Sequence, residues 1–432
     1  TLTAGDTLTG GGGADQLTFT AIAANTYGSG VISSSIETLN INAVGATTLD
    51  TTLMAGVTDI VSNGSASALI VNGLSAIPTV SLTSTSANLT LGYTSAATVV
   101  GTTNTQTVNL SGAALTASPT LTSPGIESMT VNATGTASGS VAFPVVLAST
   151  TLKSVTITGD AASALSINLA GTSAVAAGSV TGNDAANTVL LTAAAAATIG
   201  VDLGAGNDVL SASATHSATH TLAGGAGTAD TLAAASNITA ATGLNVSGFE
   251  VVSTGAFTVT LPTATNTINN AIFTGAAGGG AVVGLATGAT VTQAVTQAAA
   301  NTVSNTAGWT ATTDNLIVNV GGATSTGGLT QSLAAALIET ATITNTQIST
   351  NATGRTVGVT GAQLAKATVV SSGTAPITFV GGGTSLAEID ASAVGGQFIF
   401  NASAVNSLAA GIKITAGAGA DTLTGLTGAD TL

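Results

Sequence analysis

The sequence predicts an all-β fold, a right-handed parallel β-helix or β-solenoid, on three observations: short alternating strands, dense turn punctuation and a scarcity of bulky core residues. Alternation comes first. Val80-Ser81-Leu82, Val108-Asn109-Leu110, Val155-Thr156-Ile157, Leu165-Ser166-Ile167-Asn168-Leu169, Ile377-Thr378-Phe379 and Ile412-Lys413-Ile414 place apolar side chains at every second residue. That period means strands with one face in and one face out. Gly, Asn, Ser and Thr follow each of them within a few residues, so each strand ends in a turn. Many short strands at close spacing leave a sandwich or a solenoid. The composition favours the second: 44% of the 432 residues are hydrophobic, but only 3% are aromatic and two are Met. A sandwich core needs bulky side chains from two facing sheets, whereas small residues suit stacked coils that touch only their neighbours.

Charge narrows the partners. Four basic residues, Lys153, Arg355, Lys366 and Lys413, stand against 18 acidic ones, a formal net charge of -14. Nucleic acid or an anionic membrane surface requires clustered Lys and Arg, so cations are the natural partners and nucleic acid is excluded. There is no Cys, hence neither disulfide nor thiolate chemistry. The uncharged run between Glu250 and Asp314 is too rich in Thr, Asn and Gly for a membrane span and reads as solenoid wall. The chain lacks a start Met and a signal peptide at Thr1, and both ends fall in repeat-like text, which reads as a fragment or processed portion of a longer protein.

Three weaker patterns recur. Asn42, Asn72, Asn109, Asn132, Asn168 and Asn319 lie at strand ends, where they either form an amide ladder along the stack or merely tolerate the turn. Residues 329–338 carry Leu329, Leu333, Ala336 and Leu337 at helical spacing behind Thr330, which predicts a short helix. A Glu marker appears as IETLNI, GIESMTV, GFEVV and IETATI, at Glu37, Glu127, Glu250 and Glu339. With no Lys, Arg or His close in sequence, these Glu residues read as turn caps or coil-edge clamps rather than catalysts.

The strongest signal is a glycine-aspartate nonapeptide of the form GGxGxDxUx, with U apolar. It occurs as GGGGADQLTF, with Gly10, Gly11, Gly13 and Asp15, nine residues after Asp6. It returns as GAGADTLTGLTGADTL, with Gly417, Gly419, Asp421, Gly428 and Asp430. Two central copies are GAGNDVL, with Gly204, Gly206 and Asp208, and GGAGTADTL, with Gly224, Gly225, Gly227 and Asp230, the latter with one residue inserted. Glycines let the backbone adopt conformations barred to other residues and bring carbonyl oxygens close to an ion. Asp adds a hard charged oxygen, and calcium takes six to eight such ligands. Two nonapeptides would make one coil, so a site draws on successive coils.

These residues resemble the RTX family of secreted bacterial proteins, whose nonapeptide repeats bind calcium; the intervening Ala/Thr/Val/Asn text is similar to the body of RTX-type bacterial surface-layer (S-layer) proteins. The resemblance implies type I export, folding triggered by Ca2+ outside the cell, and assembly into a two-dimensional lattice. It carries the role of metal ligand to Asp6, Asp15, Asp208, Asp230, Asp421 and Asp430 with their adjoining glycines, and by the partial match TGNDAANT to Asp184. The expected layout is calcium turns at 1–20, solenoid body at 21–200, RTX-like turns at 201–235, a second body at 236–410 and terminal turns at 411–432.

Other constellations are weak. His216 and His220 in THSATH read as solvent-exposed, and Trp309 as a gap filler. Neither a G-x-S-x-G elbow nor a phosphate loop is present. The expected function is a non-enzymatic, self-associating surface protein at the bacterial cell exterior, with a cell-surface polysaccharide as a candidate anchor. The alternatives are a segment of an RTX adhesin, or a β-helical enzyme acting on polysaccharide.

Overall fold

The fold was taken from a computed structural model, which describes residues 2–94, 96–112, 117–135, 144–169, 177–192, 198–212, 219–238, 245–262, 267–286, 288–295, 298–304, 314–320, 330–345, 354–401, 411–425 and 429–432. The chain is an all-β solenoid of stacked parallel strands, and its described residues hold one helical turn, the 3-10 segment Ala96–Val99. It divides into two compact units, Thr1–Asp230 and Thr231–Leu432.

In the first unit each coil gives one strand to a long sheet and one to a second sheet. Thr38–Ala43, Asp59–Asn63, Thr79–Thr83, Thr105–Ser111, Ser128–Ala133 and Ser154–Gly159 pair in sequence order in the long sheet, always parallel. Register follows the alternation: Leu39, Ile60, Val80, Val108, Val131 and Ile157 form one inward column, and all are buried. A one-residue slip would turn that column out to solvent. Outward, Thr107, Thr130, Thr156 and Thr181 line up in the same way.

The second unit repeats the principle with larger fillers. Leu316, Ala341, Ala367, Ile389 and Ile414 make one buried column, and Val357, Phe379 and Phe400 another. The Phe379 and Phe400 rings stack with centroids 6.2 Å apart. Outside, Lys366 and Lys413 both reach Glu388 Oε1, at 3.3 and 3.7 Å, an exposed ladder that pins register more than it adds stability.

Three sequence expectations are corrected. Residues 330–335 form a strand, not a helix; Gln331, Leu333 and Ala335 point inward. A four-residue spacing is also an even spacing, so Leu329 and Leu333 fit either period. His220 is buried, at 1% exposure, because it continues the inward alternation of His220 and Leu222 beside Thr221–Ala223. His216 and Trp309 lie outside the described residues. Coil length is not fixed at two nonapeptides: Asp59 pairs with Thr79, 20 residues on, and Val80 with Val108, 28 residues on.

The amide ladder is short. Asn132 Nδ2 donates to Asn109 Oδ1 at 3.2 Å and Asn109 Nδ2 to Ser81 Oγ at 3.3 Å.

Candidate metal centre

Five of the six nonapeptide Asp residues occupy one structural position, immediately before a strand, and Asp430 stands before the isolated bridge residue Thr431. Asp6 precedes Thr7–Thr9, Asp15 precedes Gln16–Ala21, Asp208 precedes Val209–Ala212, Asp230 precedes Thr231–Ala234 and Asp421 precedes Thr422–Thr424. At this corner the chain swings from turn to strand, and the backbone N–H of the corner residue points along the stack. The next coil supplies its acceptor. Asn187 N–H donates to Asp208 Oδ1 at 2.6 Å, and Asp208 N–H to Asp230 Oδ1 at 2.7 Å. Phe398 N–H donates to Asp421 Oδ1 at 2.7 Å and Ile412 N–H to Asp430 Oδ1 at 3.0 Å.

The central turns of the first unit form the most complete arrangement. Three Gly-rich turns stack there, ending in Asn187, Asp208 and Asp230, at separations of 21 and 22 residues. Ala205 bridges Ala226 in parallel register, and Ala226 N–H donates to the Gly204 carbonyl at 2.7 Å. Gly225 has φ +108°, and a Cβ there would overlap the Gly204 carbonyl oxygen; at Gly227 it would overlap the Gly206 carbonyl and the Asp230 carboxylate. The glycines therefore serve close stacking of turn on turn, which brings carbonyl oxygens and carboxylates of successive coils together.

Electrostatics mark the same place. Asp208 and Asp230 are both fully buried. Asp208 Oδ2 is buried with no hydrogen-bond partner. Desolvation pushes the Asp208 carboxyl up to about 7, against the Asn187 N–H that lowers it, and the neighbouring Asp230 charge raises it further. A buried carboxylate with one bare oxygen, held against a second carboxylate among glycine carbonyls, has the donor chemistry of a hard cation site. Among the described residues no three His, Cys, Asp or Glu side chains converge, so such a site would draw its remaining ligands from the backbone.

The terminal motifs are less complete. Asp6 is half-buried and its Oδ2 accepts from Thr3 N–H and Oγ1 at 2.8 and 3.0 Å, bonds that hold its carboxyl below the usual range. Asp6 and Asp15, nine residues apart, precede strands of two different sheets, so they stand at different corners. Asp421 and Asp430 likewise cap separate corners, 23 residues on from Phe398 and 18 residues on from Ile412, the latter the length of two nonapeptides. Gly417 and Gly419 pack on the Val394 and Gly396 carbonyls, while Gly428 lies outside the described residues. Gly10 packs on the Asp15 side chain; Gly11 and Gly13 have φ +96° and +133° with open space around them. Gly224 is buried at the start of its turn. Asp184 is exposed in its turn, and the corner of its coil belongs to Asn187 instead. Asn187 carries no charge to mark it in the sequence, and its place before Thr188–Leu191 is the signal that locates it.

Three of the four Glu markers use the same device. Glu37 Oε2 accepts from Asp15 N–H at 2.8 Å, Glu127 Oε2 from Asn104 N–H at 2.9 Å, and Glu339 Oε2 from Asp314 N–H at 2.9 Å. Glu and Asp are thus interchangeable clamps between coils. Replacing Glu127, 5% exposed, with Ala is expected to cost about 1–3 kcal/mol by stranding the Asn104 N–H, while Gln keeps an acceptor oxygen and most of the stability. Urea unfolding of the two variants checks this, and equal losses would refute the clamp.

No family model, curated protein or solved structure matches the chain. No described helix is long and apolar enough to cross a membrane.

Proposed function

We propose that this chain is a structural protein of the bacterial cell surface, whose fold is set by calcium outside the cell and which self-associates into an S-layer lattice or a surface filament. The observation that carries the reading is the Asn187–Asp208–Asp230 stack, with its bare Asp208 Oδ2 among close-packed glycine turns. Asp208, Asp230 and carbonyls of the Gly204–Gly206 and Gly225–Gly227 turns would hold the ion, and its charge would offset the repulsion between buried carboxylates. A net charge of -14 adds to the benefit of a divalent cation. Self-association is supported by flat outward columns of Thr and by stacked apolar corners: Ile22 and Val44, at 78% and 49% exposure, follow the paired ends Ala21 and Ala43.

Electron microscopy of the purified protein with and without calcium tests the reading. Calcium-dependent sheets or filaments are expected. Isolated rods at high protein and calcium concentration would favour the adhesin, and turnover of a polysaccharide would overturn a structural role.

A further inference from the structure

The Glu-marked corners contain an internal comparison that the nonapeptides do not account for. At the Asn104–Glu127 corner, Asn104 Nδ2 donates to two carbonyl oxygens, Val99 of its own coil and Gly125 of the next, both at 2.9 Å. An N–H2 group thus fills a place where carbonyls of two coils converge. Asp314 holds the same position in the second unit. Its N–H donates to Glu339 Oε2 at 2.9 Å, as Asn104 N–H does to Glu127 Oε2. Its carbonyl accepts from Thr340 N–H at 3.1 Å, as that of Asn104 accepts from Ser128 N–H at 3.0 Å. Asp314 is 9% exposed, and its Oδ2, the counterpart of the amide nitrogen, is buried with no hydrogen-bond partner.

The Asp15–Glu37 corner of the first unit repeats this. Asp15 Oδ2 is again buried and bare. Ser35, two residues before Glu37, has φ 52°, as Gly125, two before Glu127, has φ 74°. A Cβ at Gly10, five residues before Asp15, would overlap the Ser35 carbonyl and the Asp15 side chain, and one at Gly125 would overlap Val99, five before Asn104. Where the corner residue is Asn, the convergence is satisfied by donors. Where it is Asp, a buried carboxylate oxygen is left without a partner, which a proton or a bound cation would supply.

We infer that the Asp314–Glu339 corner, and with it Asp15–Glu37, binds a hard divalent cation of the calcium type, which takes the place of the Asn104 amide N–H2. Each corner joins carboxylates of two adjacent coils through one backbone N–H, hard oxygen ligands of the kind such ions prefer. Neither Asp314 nor Glu339 belongs to a nonapeptide, so the inference stands on corner geometry and is independent of the RTX resemblance. The Glu127 corner is the neutral version of the same clamp.

The test is calcium stoichiometry of the chelator-stripped full chain, measured by titration calorimetry with calcium chloride alone. Asp314→Asn is expected to lose one site and to melt higher than the parent without calcium, since the amide restores the missing donors. Glu339→Gln is expected to lose or weaken the same site, and Glu127→Gln to leave the count unchanged. Circular dichroism establishes that each variant is folded. An unchanged count in folded Asp314→Asn and Glu339→Gln overturns the inference, as does a parent chain that binds no calcium. Loss of a site in Asp208→Asn but not in Asp314→Asn overturns it while leaving the nonapeptide reading intact; loss in Asp314→Asn but not in Asp208→Asn supports it alone.

Discussion

Gly225→Ala is expected to destabilise the first unit by about 4 kcal/mol, whereas Gly200→Ala changes stability by no more than about 0.5 kcal/mol. The two glycines differ in what surrounds them. Gly200 lies in the strand Ile199–Asp202, and a Cβ there meets nothing within 4 Å. Gly225 sits at φ +108°, where a side chain costs about 1–3 kcal/mol in backbone strain alone. Its new Cβ would also overlap the Gly204 carbonyl, which is fixed by its bond from Ala226 N–H. Relief requires the two turns to part, which breaks that bond and adds overpacking of a further 1–3 kcal/mol or so. Urea unfolding followed by circular dichroism measures both variants. Equal midpoints would mean that the turns are not stacked as described.

Calcium is expected to reverse the sign of the stability difference between Asp208→Asn and the parent. The variant keeps Oδ1, hence the bond from Asn187 N–H, but carries no charge. Without calcium it should melt higher than the parent at neutral pH; with calcium the parent should overtake it. The parent's own pH dependence follows from a carboxyl raised to about 7 by burial. In the folded, calcium-free protein this group holds its proton between its unfolded value near 4 and about 7, so the native state binds more protons than the unfolded chain. Stability from this group is therefore fully present below about pH 4 and is lost as pH rises through 7, by at most about 1.4 kcal/mol per pH unit. Calcium binding should release that proton and flatten the slope. A site loaded to 100 times its Kd adds about 2.7 kcal/mol. Melting curves at pH 5 and 7.5, with calcium and with chelator, check both statements. Identical pH slopes for parent and Asp208→Asn would remove Asp208 as a ligand.

Strand positions were legible because burial alternates as the sequence does, from Val80-Ser81-Leu82 to Ile412-Lys413-Ile414. Glycine placement was equally readable at Gly204, Gly206, Gly225 and Gly227, since each close approach demands the absence of a side chain. The segment 330–335 was not, because four-residue spacing is common to both periods. The inward turn of His220 was hidden for a different reason: its environment is set by the coils above and below, 21 or so residues distant, and local text carries no trace of them. The corner role of Asn187 escaped in the same way, whereas the Glu markers were read as coil-edge clamps without the partner each one holds. The Glu side chains act on a backbone N–H of the preceding coil and Asn187 on the Ser163 hydroxyl, neighbours that become visible only once coil length is known, and coil length varies from 18 to 32 residues.

Seven corner clamps run one way: the N–H of a coil is closed by a side chain of the coil that follows it, at Asp15, Asn104, Asn187, Asp208, Asp314, Phe398 and Ile412, while Thr120, Thr228 and Thr258 are closed from the coil before by Asn88, Asn207 and Asn237. At the seven acid corners a coil is finished by its successor. Growth of the stack toward the C-terminal side closes an open donor at each step, whereas growth toward the N-terminal side adds a donor to an acceptor already waiting. The two faces of such a coil are chemically unlike, one presenting corner amides and the other corner carboxylates, so the stack within a unit has a direction. Acid or a captured ion quiets the carboxylate face, and neither acts on the amide face. Conditions that titrate carboxylates thus bias which direction the fold zips, without altering a single residue in the core.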